Sequence, residues 1–369
     1  MVSLSENQYY LISLSQVPQL GPVKIRRLVD FFGSAQSVFR ANRKALQAIE
    51  GLSPSIIHDL LETRLDRYRY WCDQLGRHRI SVVSYWDEDY PDLLKHIYAP
   101  PVLLFYRGSL SFLKSSLCIA VVGSRVPSHY GRQVTKFLSQ QLSQRGVAIV
   151  SGLAWGIDSL SHQTALESGG NTGAVVAHSL DYIYPREHRS LAEKIELQGA
   201  IISEYALKTP PHSRLFPLRN RLISGLCRGV LLIEAKEKSG ALITARWALE
   251  QNREVFAIPG SIFSDRSLGC HQLIQKGAKL VCSIDDILSE MGSDPHWIRP
   301  QVAKETKKRY HFSSEEQEVI DIIGEERRHV DEIYQKCTVK RERIEKILLD
   351  FEIKGIVQQH PGRYYQQRI

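Results

Sequence analysis

The stretch Ser116-Leu-Cys-Ile-Ala-Val-Val-Gly-Ser-Arg-Val-Pro-Ser-His-Tyr-Gly131 sets how the rest of the chain reads. Leu117 to Val122 is apolar and β-rich without alternation, the pattern of a strand buried on both faces of a parallel sheet. Gly123-Ser124-Arg125 follows at once. Apolar residues then recur at helical spacing (Val134, Phe137, Leu138, Leu142) across Tyr130 to Arg145. Strand, glycine turn and helix predict loop amides and a helix N-terminus facing outward at the carboxyl end of the sheet, where an anion is favoured. Arg125 adds a planar donor fork suited to phosphate oxygens.

Outward from this unit the alternation continues. Strands are expected at Val147 to Val150, Gly173 to Ala177, Ala200 to Ser203, Val230 to Glu234 and Val255 to Ile258. Helices are expected at Ser190 to Leu197, Ala241 to Gln251, Leu268 to Lys276 and Ile284 to Met291, with another ending near Ser168. Repeated strand and helix segments with glycine-rich strand ends predict a doubly wound, Rossmann-like α/β domain over 67–292. Residues 1–66 read as a helical domain, with Pro22 in the first turn of a helix that Gly33 closes. The pattern of a second turn near Gly51 makes it SAM-like or helix-hairpin-helix, either presenting amides to a phosphate backbone or serving as a packing module. Residues 293–311 read as a linker. Residues 312–369 read as a winged helix whose third helix carries Lys340, Arg341, Arg343 and Lys346, for DNA or for a protein partner.

The chain has 369 residues, 43% hydrophobic and 24% charged, with a net charge of +8. Such an excess suits polyanions or only a solvated basic surface. The six cysteines form no Cys-x-x-Cys pair and read as reduced thiols of a cytoplasmic protein. No secretory signal is evident at Met1-Val-Ser-Leu-Ser, and no run of about 18 apolar residues occurs, so no membrane partner is expected. The dinucleotide and P-loop fingerprints are absent, as are His-Glu-x-x-His and Gly-x-Ser-x-Gly. The expectation is therefore a protein with no cofactor, no metal and no catalytic residues.

What remains is a cluster suited to phosphates and bases. Arg219 and Arg221 can bind phosphates, Asn220 can bond a base edge or order the loop, and Phe216 offers a stacking face. The alternative is that one arginine pairs with an internal acid such as Glu204 or Glu234 and Phe216 is core. Ser239-Gly240 is a second amide nest, or plain helix capping, with Lys238 adjacent.

Taken together, Ala-Val-Val-Gly-Ser-Arg at Ala120, Ser-Gly-Leu-Ala-Trp-Gly-Ile-Asp at Ser151, Leu-Asp-Tyr-Ile-Tyr-Pro at Leu180, Ser-Glu-Tyr at Ser203, Phe-Pro-Leu-Arg-Asn-Arg at Phe216, Glu-Ala-Lys-Glu-Lys-Ser-Gly-Ala-Leu-Ile-Thr-Ala at Glu234 and Ala-Ile-Pro-Gly at Ala257 closely resemble the DNA-processing protein A (DprA/Smf) family. The resemblance covers the whole α/β block, in order. It implies a non-enzymatic homodimer that binds single-stranded DNA in natural transformation and helps load the RecA recombinase. By motif position it implies a DNA pocket on Gly123, Ser124, Arg125, Phe216, Arg219 and Asn220, with Lys238, Ser239 and Gly240. One departure is Ala177-His178-Ser179, where the family has a glycine-rich turn. An apolar face around Leu273 and Ile274 is the candidate dimer surface. Two rivals are a nucleotide-cleaving enzyme of the lysine-decarboxylase-like group, whose Pro-Gly-Gly-x-Gly-Thr loop is missing here, and a transcription factor working through the winged helix.

Overall fold

The computed structural model describes residues 4–65, 67–292, 312–324, 327–353 and 356–367. Its first unit, Met1–Val302, is built on a nine-stranded sheet. In chain order the strands are β1 (Ser81–Ser84), β2 (Leu103–Gly108), β3 (Cys118–Val122), β4 (Ala148–Ser151), β5 (Thr172–Val175), β6 (Gly199–Ser203), β7 (Gly229–Leu232), β8 (Glu254–Ala257) and β9 (Lys279–Leu280). Their spatial order is β1-β2-β6-β5-β4-β3-β7-β8-β9. From β6 to β9 all pairs are parallel, while β2 joins β6 and β1 joins β2 antiparallel. Every residue of β3 is buried, as its unbroken apolar run requires.

The expected doubly wound fold is present, its element ends lying close to those read from the pattern. One segment differs in kind. Leu215–Gly225, read as a strand-end loop, is an α-helix. Pro217 does not break it, because the amides of a helix's first turn have no intrahelical acceptor to lose.

The N-terminal helices behave as their capping chemistry dictates. Pro22–Phe32 starts with Pro22 in the first turn and ends at Gly33, whose φ of +81° is the left-handed cap that glycine adopts without strain. Leu11, Ile12, Leu28 and Ile56 from this region belong to the same hydrophobic core as Leu103, Phe105 and Ile201 of the sheet. The helices within residues 4–65 therefore bury their apolar faces against the sheet.

The second unit, Ala303–Ile369, is a winged helix. Helices Ser314–Ile323, Val330–Lys336 and Arg341–Ile353 accompany a small antiparallel sheet of β10 (Arg328–His329), β11 (Val357–His360) and β12 (Tyr364–Gln367). Val319, Ile333, Ile344, Ile347 and Phe351 share its core. The expected linker 293–311 lies outside the described residues. Among those described, no helix is long and apolar enough to cross a membrane.

Candidate nucleic-acid interface

Strands β3 and β7 are neighbours, but the chain leaves β3 towards β4 on one side and β7 towards β8 on the other. Loops diverge at such a switch point and open a crevice beyond the carboxyl ends of the strands. Here the crevice is a cleft of about 560 Å3. Gly123 and Arg125 line it after β3, Asp158 after β4, Phe216, Arg219 and Asn220 from the helix Leu215–Gly225, and Ser239, Gly240 and Thr244 after β7.

Two glycines let the loops approach one another. A Cβ on Gly123 would lie 2.8 Å from Ile157 Cγ1 and 3.0 Å from the Glu234 carbonyl. Gly156 has φ +85°, and a Cβ there would meet the Ser124 carbonyl at 2.4 Å. This interlock fixes the segment that carries Arg125. The Arg125 side chain is exposed, 5.8 Å from the centroid of the Phe216 ring, and takes part in none of the ion pairs among the described residues. Phe216 is half-buried, with Tyr184 beside it at 5.9 Å between centroids. Arg219 Cζ lies 5.9 Å from the centroid of the same ring, so Phe216 is flanked by two guanidiniums, and cations beside an aromatic suit a phosphate and a base together.

The two arginines of the helix play a different part. Arg219 is 4% exposed, and its Nη1 donates to the carbonyls of Gly152, at 2.8 Å, and Val175. Burial lowers its pKa to about 10, and nearby Asp158 opposes that shift. Gly152 leaves room for both groups, since a Cβ there would sit 2.7 Å from Arg219 Nη2 and from Asp158 Oδ2. Arg219 thus forms the cleft's floor and ties the ends of β4 and β5 together. Arg221 lies outside the cleft in a largely buried pair with Glu204. The alternative in which one arginine pairs with an internal acid holds for Arg221 and Glu204, and the reading of Arg219 as a phosphate ligand is corrected, because its donors are committed to backbone carbonyls. Helical geometry is the reason, because Phe216, Arg219, Asn220 and Ile223 fall on one face and Arg221 on another.

A second correction concerns the helix after Arg125, His129–Gln144. Its N-terminus is occupied from within: Glu234, 3% exposed, accepts from Ser128 N at 2.9 Å and from Ser128 Oγ. The carboxylate takes the favourable position that the sequence reading gave to an external anion. Ser124 does not line the cleft; its Oγ accepts from Val126 N at 3.1 Å. Lys238 is exposed but also outside the lining. Ser239 and Gly240 do line it, at the start of the helix Ala241–Glu250, which has no side-chain cap. Asn220 bridges the walls, its Nδ2 donating to the Gly240 carbonyl at 3.4 Å.

Sequence reasoning missed Asp158, Tyr184 and Thr244 as lining residues. All three were in view, inside the motifs at Ser151, Leu180 and Glu234, but nothing in a linear motif says which of its side chains reaches the cleft. Asp158 accepts from Gly152 N at 3.1 Å, and burial raises its pKa against the pull of Arg219. His178, in the departing turn, is 1% exposed and bonded through Nδ1 to the Ser179 carbonyl, with its pKa lowered by burial.

The winged helix uses its cations otherwise. Arg343 pairs with Glu315 at 3.0 Å, Arg363 with Glu345 at 3.4 Å, and Arg341 lies over the Tyr334 ring. Lys340 and Lys346 are exposed.

The chain is thus a doubly wound α/β protein with a cationic, aromatic crevice at its switch point, where proteins of this class take their ligands. The family model for DNA recombination-mediator protein A matches residues 81–292, and that for the DprA winged helix domain matches 302–363. Protein Smf of Synechocystis is 33% identical over 99% of this chain and 100% of its own length. The X-ray structure of DNA processing protein A from Streptococcus pneumoniae superposes with a TM-score of 0.67 at 37% identity, covering 79% of this chain and 99% of that one. The Helicobacter pylori structure, described in terms of its single-stranded DNA binding mode, superposes with a TM-score of 0.53 at 30% identity, over 58% of this chain and 95% of that one. The chain belongs to the DNA recombination-mediator protein A (DprA/Smf) family.

Proposed function

We propose that this chain is a non-enzymatic single-stranded DNA-binding protein that protects incoming DNA and promotes RecA loading in transformation and recombination, acting in the cytoplasm as a homodimer. The observation that carries the reading is the unpaired Arg125 guanidinium over the half-buried Phe216 ring at the switch-point cleft. Phosphates lie at Arg125 and at the Gly240 amide, the Ser239 amide donating to the Lys236 carbonyl at 3.0 Å, with Arg219 adding positive field from the floor and one base against Phe216. Gly123 keeps the approach open. Lys238 lies on the same loop for a neighbouring phosphate, while Ser124 shapes the turn and Arg221 braces the helix. Asp158, the carboxylate that lines the cleft, bonds a loop amide and faces Arg219, which supports a holding role for it. Self-association through the helix Leu268–Gln275 completes the reading; Leu273 and Ile274 are half-buried there against the sheet.

The test is displacement of a labelled oligothymidine. Unlabelled single strand displaces it at lower concentration than duplex of equal length, because stacked bases cannot offer a face to Phe216. Equal or better displacement by duplex contradicts the proposal. Release of free base from nucleoside monophosphates would restore the enzymatic rival.

A further inference from the structure

Outside the cleft the chain exposes a second apolar surface. Phe263 is 94% exposed and Ile262 75%, on the loop between β8 and the helix Leu268–Gln275. Val126, which follows Arg125, is 70% exposed. The two loops are joined: Arg266 Nε donates to the Val126 carbonyl at 3.3 Å, and the Arg266 carbonyl accepts from Ala235 N at 2.8 Å. The 261–267 loop is also held by its own bonds. Phe263 N donates to Ser261 Oγ at 3.3 Å and Ser264 N to the Ser261 carbonyl at 3.0 Å.

Adjacent exposed apolar side chains on an ordered loop mark an interaction surface. Charge and continuity choose its occupant. Arg266 flanks the loop, Lys236 being neutralised by Asp265, and Arg125 stands at the cleft rim next to Val126. Cations interleaved with an aromatic are the chemistry of an unpaired polynucleotide. A strand with a base against Phe216 and a phosphate at Arg125 meets Val126 and then this loop as it leaves the cleft.

We propose that Ile262 and Phe263, joined through Arg266 to Val126, form a second base-stacking platform that lengthens the footprint on the same single strand. This rests on the cleft being a single-strand site, and the two ideas fail separately. The experiment uses the full chain with oligothymidines of about 4 and about 16 nucleotides, spanning the usual site sizes. Phe263→Ala keeps wild-type affinity for the short oligomer and loses about fivefold or more on the long one, the effect of one stacked base. Phe263→Trp keeps the long-oligomer affinity, and its added fluorescence is quenched by the long oligomer only. Wild-type affinity of Phe263→Ala for the long oligomer, or no such quenching, overturns the platform and leaves the cleft standing. A shift of Phe263→Ala to a smaller sedimenting species, with affinity for both lengths unchanged, assigns the loop to self-association and also overturns it. Arg125→Ala weakens both lengths; if it weakens neither, the cleft reading falls whatever Phe263 does.

Discussion

Arg125 of the sheet cleft and Arg343 of the winged helix's third helix are in opposite states. Arg125 stands free over an aromatic ring, whereas Arg343 is paired with Glu315, and Arg363 of the neighbouring β-hairpin with Glu345. The same contrast recurs along the helix Leu215–Gly225, where Arg219 is buried against carbonyls at the cleft floor and Arg221, outside the cleft, is held by Glu204. A count of basic residues therefore does not locate an interface. What locates it is a cation whose field is not cancelled by a neighbouring acid and whose donors are not already bonded.

The largest expected effect breaks or supports the division between holding and binding arginines. Arg219→Ala leaves the buried Asp158 uncompensated and the Gly152 and Val175 carbonyls without their donor, a loss of about 3–5 kcal/mol of stability for a buried charge stripped of its partner. Urea unfolding of the variant reads this directly. If Arg219→Ala unfolds at the wild-type midpoint and loses only DNA affinity, Arg219 is a ligand contact and the division is wrong. The smallest expected effect lies on the winged helix. Lys340→Ala with Lys346→Ala changes oligothymidine affinity of the full chain by less than about threefold, as expected where the cleft alone holds the strand. A loss of an order of magnitude or more would make that helix part of the single-strand site.

Most of the architecture was legible because strand burial and helix capping are local signals. The unbroken run at Leu117 to Val122 could only be a strand covered on both faces, and Pro22 with Gly33 bracketed a helix. What was not legible were facts of orientation. Leu215–Gly225 lacks a strong apolar stripe and contains Pro217, so it reads as a loop. Once it is a helix, Arg219 and Arg221 cannot share a ligand. The capture of the helix N-terminus by Glu234 depends on a carboxylate 106 residues along the chain from Ser128, a contact that no local pattern encodes. The motifs nonetheless converge: Gly123, Arg125, Phe216, Arg219, Asn220, Ser239 and Gly240 all line one cleft.

The central claim is that a free Arg125 at the sheet's switch point neutralises a phosphate of an unpaired strand. Salt titration of oligothymidine binding by the wild type and by Arg125→Ala tests it most directly, because each neutralised phosphate adds about −0.7 to the slope of log affinity against log salt on single strands. The variant should bind more weakly, with a slope shallower by about that amount. An Arg125→Ala protein with the wild-type slope and affinity would contradict the account.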